Sequence, residues 1–239
     1  MNIQEFYETF PYPPLGPLNA IEIPGLPSDF VAINHYVFGG RWTRDKPFRV
    51  LVAGCGTGLS VTALGQQLAA MGVPFSMLCI DVSSVSLEIA RARAASAGLS
   101  ELMVFQCRAI EALETEAAYS FDYIDLTGVL NHVEDPARIL AVLNHVLADP
   151  GGLGVMAYGA LGRTGIYPVQ DALRLLRLTT KESVPAARAL LRNLPRSNWL
   201  RLNQILEDFE TISDTEFADR FLNPRDRAFS VRELGWLFG

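Results

Sequence analysis

The chain has 239 residues, of which 49% are apolar and 19% charged, so a buried core of ordinary size is expected. A formal net charge of −6 gives no reason to expect nucleic-acid binding, and no apolar run reaches the roughly 18–20 residues of a membrane-spanning helix. Three cysteines without metal-ligand spacing and an N-terminus without a secretory signal pattern predict a cytoplasmic protein with reduced thiols and no bound metal.

The first 47 residues precede the first predicted strand and are rich in aromatic residues and proline. Phe6, Tyr7, Phe10 and Tyr12 stand beside four prolines between positions 11 and 17. Because proline fixes φ and removes a backbone donor, this composition predicts an extended, kinked segment and not a long helix. We expect the aromatic side chains to pack at the mouth of a ligand site or at the sheet edge, or only to anchor the chain end.

From residue 48 onward, short apolar strands alternate with helical patterns. The predicted strands are 49–53, 75–80, 102–106, 121–126 and 153–158, and the predicted helices are 59–71, 85–97 and 136–147. Such alternation predicts a doubly wound, mostly parallel α/β sheet. Asp135 and Pro136 fit the start of the last of these helices, and Gly98 fits the end of the second.

After residue 158 the pattern is helical and broken by prolines, and no convincing sixth or seventh strand follows. We therefore predict an N-terminal segment over 1–47, a core over 48–158 and a helical insertion or cap over 159–239. A five-stranded variant of the fold and a chain truncated at Gly239 would each account for the missing strands.

The first strand runs directly into a glycine-rich turn, in which Gly54, Gly56 and Gly58 alternate with Cys55 and Thr57. Glycine allows positive φ and lets a ligand lie against the backbone, and the helix that follows offers unpaired N–H groups. A dinucleotide-binding fingerprint needs its third glycine one place later, so the pattern disfavours an NAD(P)-linked oxidoreductase.

Asp81 ends the second predicted strand, at the edge where open α/β sheets bind their ligands. A carboxylate there can accept hydrogen bonds from both hydroxyls of a ribose. Such an acid supports nucleoside binding without choosing between cofactors, and a helix N-cap is its alternative role.

The stretch from Gly54 to Gly58 resembles motif I of the class I S-adenosylmethionine (SAM)-dependent methyltransferases, and residues 121–136 are similar to their strand-four region. The whole chain resembles a bacterial subgroup with a helical insertion after strand five. The resemblance implies a Rossmann-like sheet of order 3-2-1-4-5, an N-terminal lid and SAM as cofactor. The residues that it implies for SAM binding are Gly54, Cys55, Gly56, Thr57, Gly58, Asp81, Val82, Ala109, Ile110, Gly128 and, from the lid, Tyr12.

Two positions depart from the family pattern. Val52 stands where an acidic residue is usual, and Arg108 replaces an aspartate that contacts the adenine amino group in many of these enzymes. Arginine cannot accept that hydrogen bond, so the adenine contact is expected to fall to the backbone at Ala109 and Ile110.

The resemblance also implies that the segment after strand four lies under the transferred methyl group. His132 could then take a proton from the acceptor while Asn131 orients it, or His132 could serve structurally. Tyr7, Tyr158, Arg163 and Tyr167 are candidate substrate contacts, and a hinge role is the alternative for the three that follow strand five.

The predicted function is methyl transfer to an O or N nucleophile of a small molecule, a peptide or a protein side chain. A non-catalytic SAM-binding or interaction module, using its helical region for assembly, is the alternative from another class. No nucleic-acid or membrane partner is expected, and the sequence leaves the oligomeric state open.

Overall fold

The computed structural model describes residues 1–14, 27–43, 45–117, 120–203 and 206–239. The chain divides into two compact units. The core unit spans Leu15–Ala157, and the helical unit combines Met1–Pro14 with Tyr158–Gly239. The division into segments 1–47, 48–158 and 159–239 stays a prediction, and residues 15–26 and 44 of its first segment lie outside the described residues.

Five parallel strands form the sheet of the core unit, in the order β3-β2-β1-β4-β5. Their bounds are β1 (Phe48–Ala53), β2 (Phe75–Asp81), β3 (Met103–Cys107), β4 (Phe121–Thr127) and β5 (Leu147–Met156). This order confirms the predicted Rossmann-like, doubly wound sheet. It also places the carboxyl ends of β1 and β4 next to each other, where such folds bind ligands.

Helices follow the strands as the periodicity predicted and continue through the helical unit. They are α1 (Ile3–Thr9), α2 (Phe30–Phe38), α3 (Leu59–Ala70), α4 (Ser84–Ser96), α5 (Pro136–Val146), α6 (Ile166–Leu175), α7 (Val184–Arg192), α8 (Trp199–Leu202), α9 (Asp214–Phe221) and α10 (Val231–Phe238). Short 3-10 helices relevant to the site cover Ile110–Thr115 and Leu130–His132. Within the described part of the chain, no helix has both the length and the apolar character that crossing a membrane requires.

Local sequence signals set the helix ends. Asp135 accepts a hydrogen bond from the Arg138 amide at 3.0 Å, and Pro136 occupies the first turn of α5. Gly98 follows α4 with a φ of +71°, the left-handed conformation that favours glycine. The predicted ends of these two helices are therefore confirmed.

Strand β5 begins earlier than its sequence suggests. Leu147 already pairs with Phe121, and the pairing resumes only at Gly152 and Tyr123. The segment 148–151, which lies between the predicted helix 136–147 and the predicted strand 153–158, is an irregularity inside the strand. The register between β4 and β5 shifts because β5 has more residues than β4 between the two paired positions. The hydrophobic periodicity of the sequence does not reveal such an insertion.

The core unit buries both faces of its sheet. In β1 every residue except Arg49 is at most 1% exposed, as expected of a central parallel strand. Helix α3 packs Val61, Leu64 and Leu68 into the same apolar cluster. This closely packed β1–α3 junction carries the glycine-rich turn.

The helical unit has an apolar core of its own. Phe6 and Phe10, on α1 and just after it, are 0% and 2% exposed and belong to this core. Its other members include Ile166, Leu173, Leu191, Leu200, Phe217 and Phe221. Of the alternatives expected for these two N-terminal rings, this burial supports the anchoring of the chain end.

Candidate functional site

The glycine-rich turn after β1 adopts a backbone that only glycine takes readily. The φ angles of Gly54, Gly56 and Gly58 are +76°, +51° and +94°. A Cβ built on Gly54 would lie 2.4 Å from Cγ2 of Val129, so no side chain fits there. The Gly54 amide also donates to the Ile80 carbonyl at 2.9 Å, which fixes the turn to the end of β2.

Asp81 lies against this turn. Its Oδ2 accepts a hydrogen bond from the Gly56 amide at 2.8 Å, and its Oδ1 accepts one from the Ser83 amide at 2.9 Å. Ser83 caps α4 by accepting from the Ser86 amide at 3.1 Å. Asp81 is therefore not the cap of α4, and its half-buried carboxylate sits at the carboxyl edge of β1 and β2.

The two residues between the glycines point inward. Cys55 and Thr57 are 5% and 2% exposed. Burial, with smaller contributions from Cys79 and Asp81, holds the pKa of the Cys55 thiol well above its usual range. Cys55 therefore stays a neutral packing residue and does not supply a thiolate nucleophile.

The end of β3 meets the end of β2. The Arg108 amide donates to the Asp81 carbonyl at 2.9 Å. The Arg108 guanidinium donates to Gln106 at 3.0 Å and pairs with Glu116 at 2.9 Å. Ala109, which is exposed, and Ile110, which is buried, follow at the start of a 3-10 helix. Next to Arg108, which replaces the usual acid, the backbone of these two residues therefore lies at the edge of the site.

The segment after β4 closes onto the glycine turn through Val129. Gly128 has a φ of +72°, and its amide donates to the Met156 carbonyl at 3.0 Å. In the 3-10 helix that follows, Asn131 is 0% and His132 is 7% exposed. The loop after β4 therefore borders the glycine turn, while its position under the transferred methyl group and the catalytic roles of Asn131 and His132 stay predictions.

Sequence reasoning missed Asp125, an acid inside β4. Its side chain is 1% exposed and accepts hydrogen bonds from the Thr127 amide at 2.9 Å and from the Ser28 hydroxyl. Ser60, in the first turn of α3, is a further hydrogen-bond partner, so Asp125 underlies the helix that leaves the glycine turn. Burial outweighs these hydrogen bonds and raises the pKa of Asp125 to about 6. The sequence signal that could have identified Asp125 is an acidic residue at an otherwise apolar position of the strand.

The remaining predicted residues belong to the helical unit: Tyr7, Tyr12, Tyr158, Arg163 and Tyr167. Tyr7 donates to Asp219 at 3.0 Å. Arg163 is 8% exposed, pairs with Asp226 and stacks on the Tyr158 ring at 4.2 Å. Their roles toward cofactor or substrate stay predictions, and the two buried aspartates that they contact were not anticipated.

Residues 51–153 match a family model described as a methyltransferase domain. An uncharacterized protein of Synechococcus sp. is 30% identical over 99% of this chain and 57% of its own length. A ubiquinone biosynthesis O-methyltransferase of Neisseria meningitidis is 32% identical over 61% of this chain and 58% of its own length. The chain thus spans less than two thirds of the length of each of these relatives.

Among solved structures, PKMT2 from Rickettsia typhi resembles this chain with a TM-score of 0.60 at 17% identity. The likeness covers 98% of this chain and 41% of that one. A second structure of that protein, in complex with AdoHcy, gives a TM-score of 0.55 at 20% identity. At these identities the likeness concerns the fold.

Proposed function

We propose that this chain, whose residues 51–153 match a methyltransferase domain, is a SAM-dependent enzyme that moves a methyl group to an O or N nucleophile of a small molecule, peptide or protein side chain. The predictions of the family and of its cofactor are confirmed at the level of this domain. The observation that carries the proposal is the Asp81 carboxylate held against the Gly56 amide.

The residues at this edge fit SAM. The three glycines with positive φ angles carry no Cβ, so a nucleoside can approach the backbone of the turn closely at these positions. Asp81 would accept hydrogen bonds from the ribose hydroxyls, because a carboxylate offers two acceptor oxygens. Val82 and the backbone at Ala109 and Ile110 would border the adenine.

When bound, SAM supplies a methyl group that its sulfonium makes electrophilic. The chain then has mainly to bind and orient, since alignment alone can account for a large share of such a rate enhancement. We assign Gly128 and Val129 to shaping the floor beside the glycine turn. Asn131 has no exposed surface, so it would act by holding this loop, and His132 is the candidate that receives the acceptor's proton.

The acceptor atom is the less constrained half of the proposal. Relatives named ubiquinone biosynthesis O-methyltransferase support oxygen, while the described residues of the site suit a nitrogen acceptor equally well. Arg108 stands where the family resemblance implies an adenine-binding aspartate, and this departure supports the non-catalytic alternative.

Calorimetric titration with SAM and with S-adenosylhomocysteine tests the proposal. We expect micromolar binding by the wild-type chain and at least tenfold weaker binding by Asp81→Asn, since a hydrogen bond to a charged group contributes about 1.5–3 kcal/mol. Asp135→Asn is the matched control, because asparagine caps a helix as well as aspartate does. Wild-type protein that binds neither compound would refute the proposal.

Transfer is tested separately with radiolabelled methyl-SAM on catechols, small amines and peptides, each product being identified by mass spectrometry. We expect labelled product from at least one class. Tight SAM binding without transfer to any of them would favour the non-catalytic module.

A further inference from the structure

Arg108 stands beside the carboxylate that the proposed function assigns to the ribose. Cys107, the last residue of β3, pairs with Asp81, the last residue of β2, and the Arg108 amide donates to the Asp81 carbonyl at 2.9 Å. Neighbouring strands of a sheet lie about 4.8 Å apart. Arg108 is therefore one strand away from Asp81 at the same edge of the sheet.

The strand order decides which part of a bound nucleoside meets Arg108. β2 lies between β1 and β3, and the three strands are parallel, so their carboxyl ends follow one another along one edge. The proposed function places the transferred methyl group beside the loop after β4 and the ribose at Asp81. The base is attached on the other side of the ribose, so it extends over the end of β3, where Arg108 stands.

The guanidinium of Arg108 has more donors than acceptors around it. Nη1 donates to Gln106 Oε1 at 3.0 Å and to Glu116 Oε1 at 2.9 Å. Within the described part of the chain, Nε and Nη2 are shielded from solvent and have no hydrogen-bond partner. A shielded donor without an acceptor is unfavourable, so a ligand that supplies an acceptor to either nitrogen gains affinity.

The side chain of Arg108 can turn these donors towards a ligand. It is 21% exposed, and the side chain of its partner Glu116 is 43% exposed. An ion pair formed at such a surface contributes little to stability, so it holds the guanidinium weakly. An arriving base can therefore replace that contact with hydrogen bonds from the unpaired nitrogens.

Other charged groups at this edge of the core unit have partners of their own. The carboxylate of Asp81 accepts from two backbone amides, and Glu114 pairs with Arg138 at 3.0 Å. Arg91 is exposed and lies over the Phe105 ring. A purine base is uncharged, so the direction of its hydrogen bonds with Arg108 determines which base fits.

An arginine suits a different base from the acid that the family resemblance implies at this position. A carboxylate accepts from the 6-amino group of adenine, whereas a guanidinium only donates. A 6-oxo purine offers an oxygen next to a ring nitrogen, and these two acceptors are the ones to which arginine most often donates when it contacts bases specifically. Adenine offers only the ring nitrogen there, beside an amino group that is itself a donor.

We propose that Arg108 contacts the base of the bound cofactor as a hydrogen-bond donor, so that this site accepts a 6-oxo purine nucleoside about as well as an adenine nucleoside. The inference rests on the proposed function and deepens it, because it names the residue that determines base specificity. It also adds a side-chain contact to the backbone contacts expected at Ala109 and Ile110.

Calorimetric titration of the full chain with S-adenosylhomocysteine and with S-inosylhomocysteine tests this inference. The second compound carries an oxygen in place of the 6-amino group. We expect the wild-type chain to bind it with a dissociation constant within threefold of that for S-adenosylhomocysteine. A site with an acid at this position would discriminate strongly, because its carboxylate would lose a donor and face the oxygen.

Variants are compared by the ratio of the two dissociation constants. Arg108→Asp introduces the acid, and we expect the ratio to shift at least tenfold in favour of adenine. Arg91→Asp is the matched control, since it makes the same change at an exposed arginine next to β3, and its ratio should equal that of the wild type. If Arg108→Asp does not fold, Arg108→Met decides, because it keeps an apolar stem without donors. Its ratio should shift at least threefold in favour of adenine.

Two outcomes would overturn the inference and leave the proposed function intact. One is a wild-type chain that binds S-adenosylhomocysteine but binds S-inosylhomocysteine more than threefold more weakly. The other is an unchanged ratio in the Arg108 variants, since a merely structural arginine would alter the affinity for both compounds alike. Binding of neither compound by the wild-type chain would refute the proposed function and this inference together.

Discussion

Replacing Gly54 by alanine tests whether the glycine turn is shaped by its contact with the loop after β4. The new Cβ would lie 2.4 Å from Cγ2 of Val129 and 3.2 Å from Cγ1. Ordinary van der Waals contact begins about 1 Å farther out, so the turn and the loop must move apart. The residue must also keep a φ of +76°.

Two costs add in this variant. An L-residue in the left-handed region costs about 1–2 kcal/mol, and forcing one extra carbon into a packed site costs about 1–3 kcal/mol more. We expect Gly54→Ala to lower the free energy of unfolding by about 2–5 kcal/mol. SAM affinity should fall at the same time, because the displaced loop borders the turn.

Gly98→Ala is the control for the backbone term. Its φ is +71°, yet a Cβ there would meet no atom within 4 Å, so only about 1–2 kcal/mol should be lost. Urea denaturation followed by circular dichroism measures both variants. In the double variant Gly54→Ala/Val129→Ala the clash is removed. The two substitutions should therefore show a favourable coupling energy of about 1–3 kcal/mol, equal to the cost of the contact with Val129.

Equal destabilisation of Gly54→Ala and Gly98→Ala would refute the reasoning, since the contact with Val129 would then contribute nothing. A coupling of zero in the double variant would have the same meaning.

Further predictions concern buried charge. The pKa of Asp125 is raised from 3.8 to about 6 in the folded state, so the native state binds more protons and stability falls as pH rises through this window. Between pH 4 and 7 the wild type should lose roughly 2 kcal/mol relative to Asp125→Asn in urea denaturation. Asp122 is 3% exposed, and its carboxylate accepts three hydrogen bonds from Arg49. Two of them come from the Arg49 guanidinium and one comes from the Arg49 backbone amide. We expect Asp122→Asn to cost about 1–3 kcal/mol. Glu114→Gln, which breaks an exposed pair, should change stability by at most about 0.5 kcal/mol.

Each of these predictions has a contradicting outcome. A pH slope in Asp125→Asn identical to that of the wild type would place the titration elsewhere. Thermal melts in which Glu114→Gln is as unstable as Asp122→Asn would show that burial does not distinguish the two ion pairs.

Much of the core unit could be read from the sequence because its signals are local. The alternation of strands and helices follows from periods of two and 3.6 residues, and a glycine at each positive φ marks the turn. Strand order and the place of Asp81 at the carboxyl edge follow from connection rules and the family resemblance. The periodicities and the glycine turn depend on residues close together in the chain, whereas the strand order does not.

The tertiary structure alone decided what depends on distant pairing. Tyr7 meets Asp219 across 212 positions, and Phe6 is buried by helices more than 150 residues away, so no local pattern could locate either. The same holds for Asp125, whose raised pKa comes from the elements that enclose it on all sides. The sequence by itself determined the parallel core and its glycine turn. Only long-range packing decided which tyrosines and carboxylates would lie together in the interior, because burial and electrostatic environment are properties of the assembled chain.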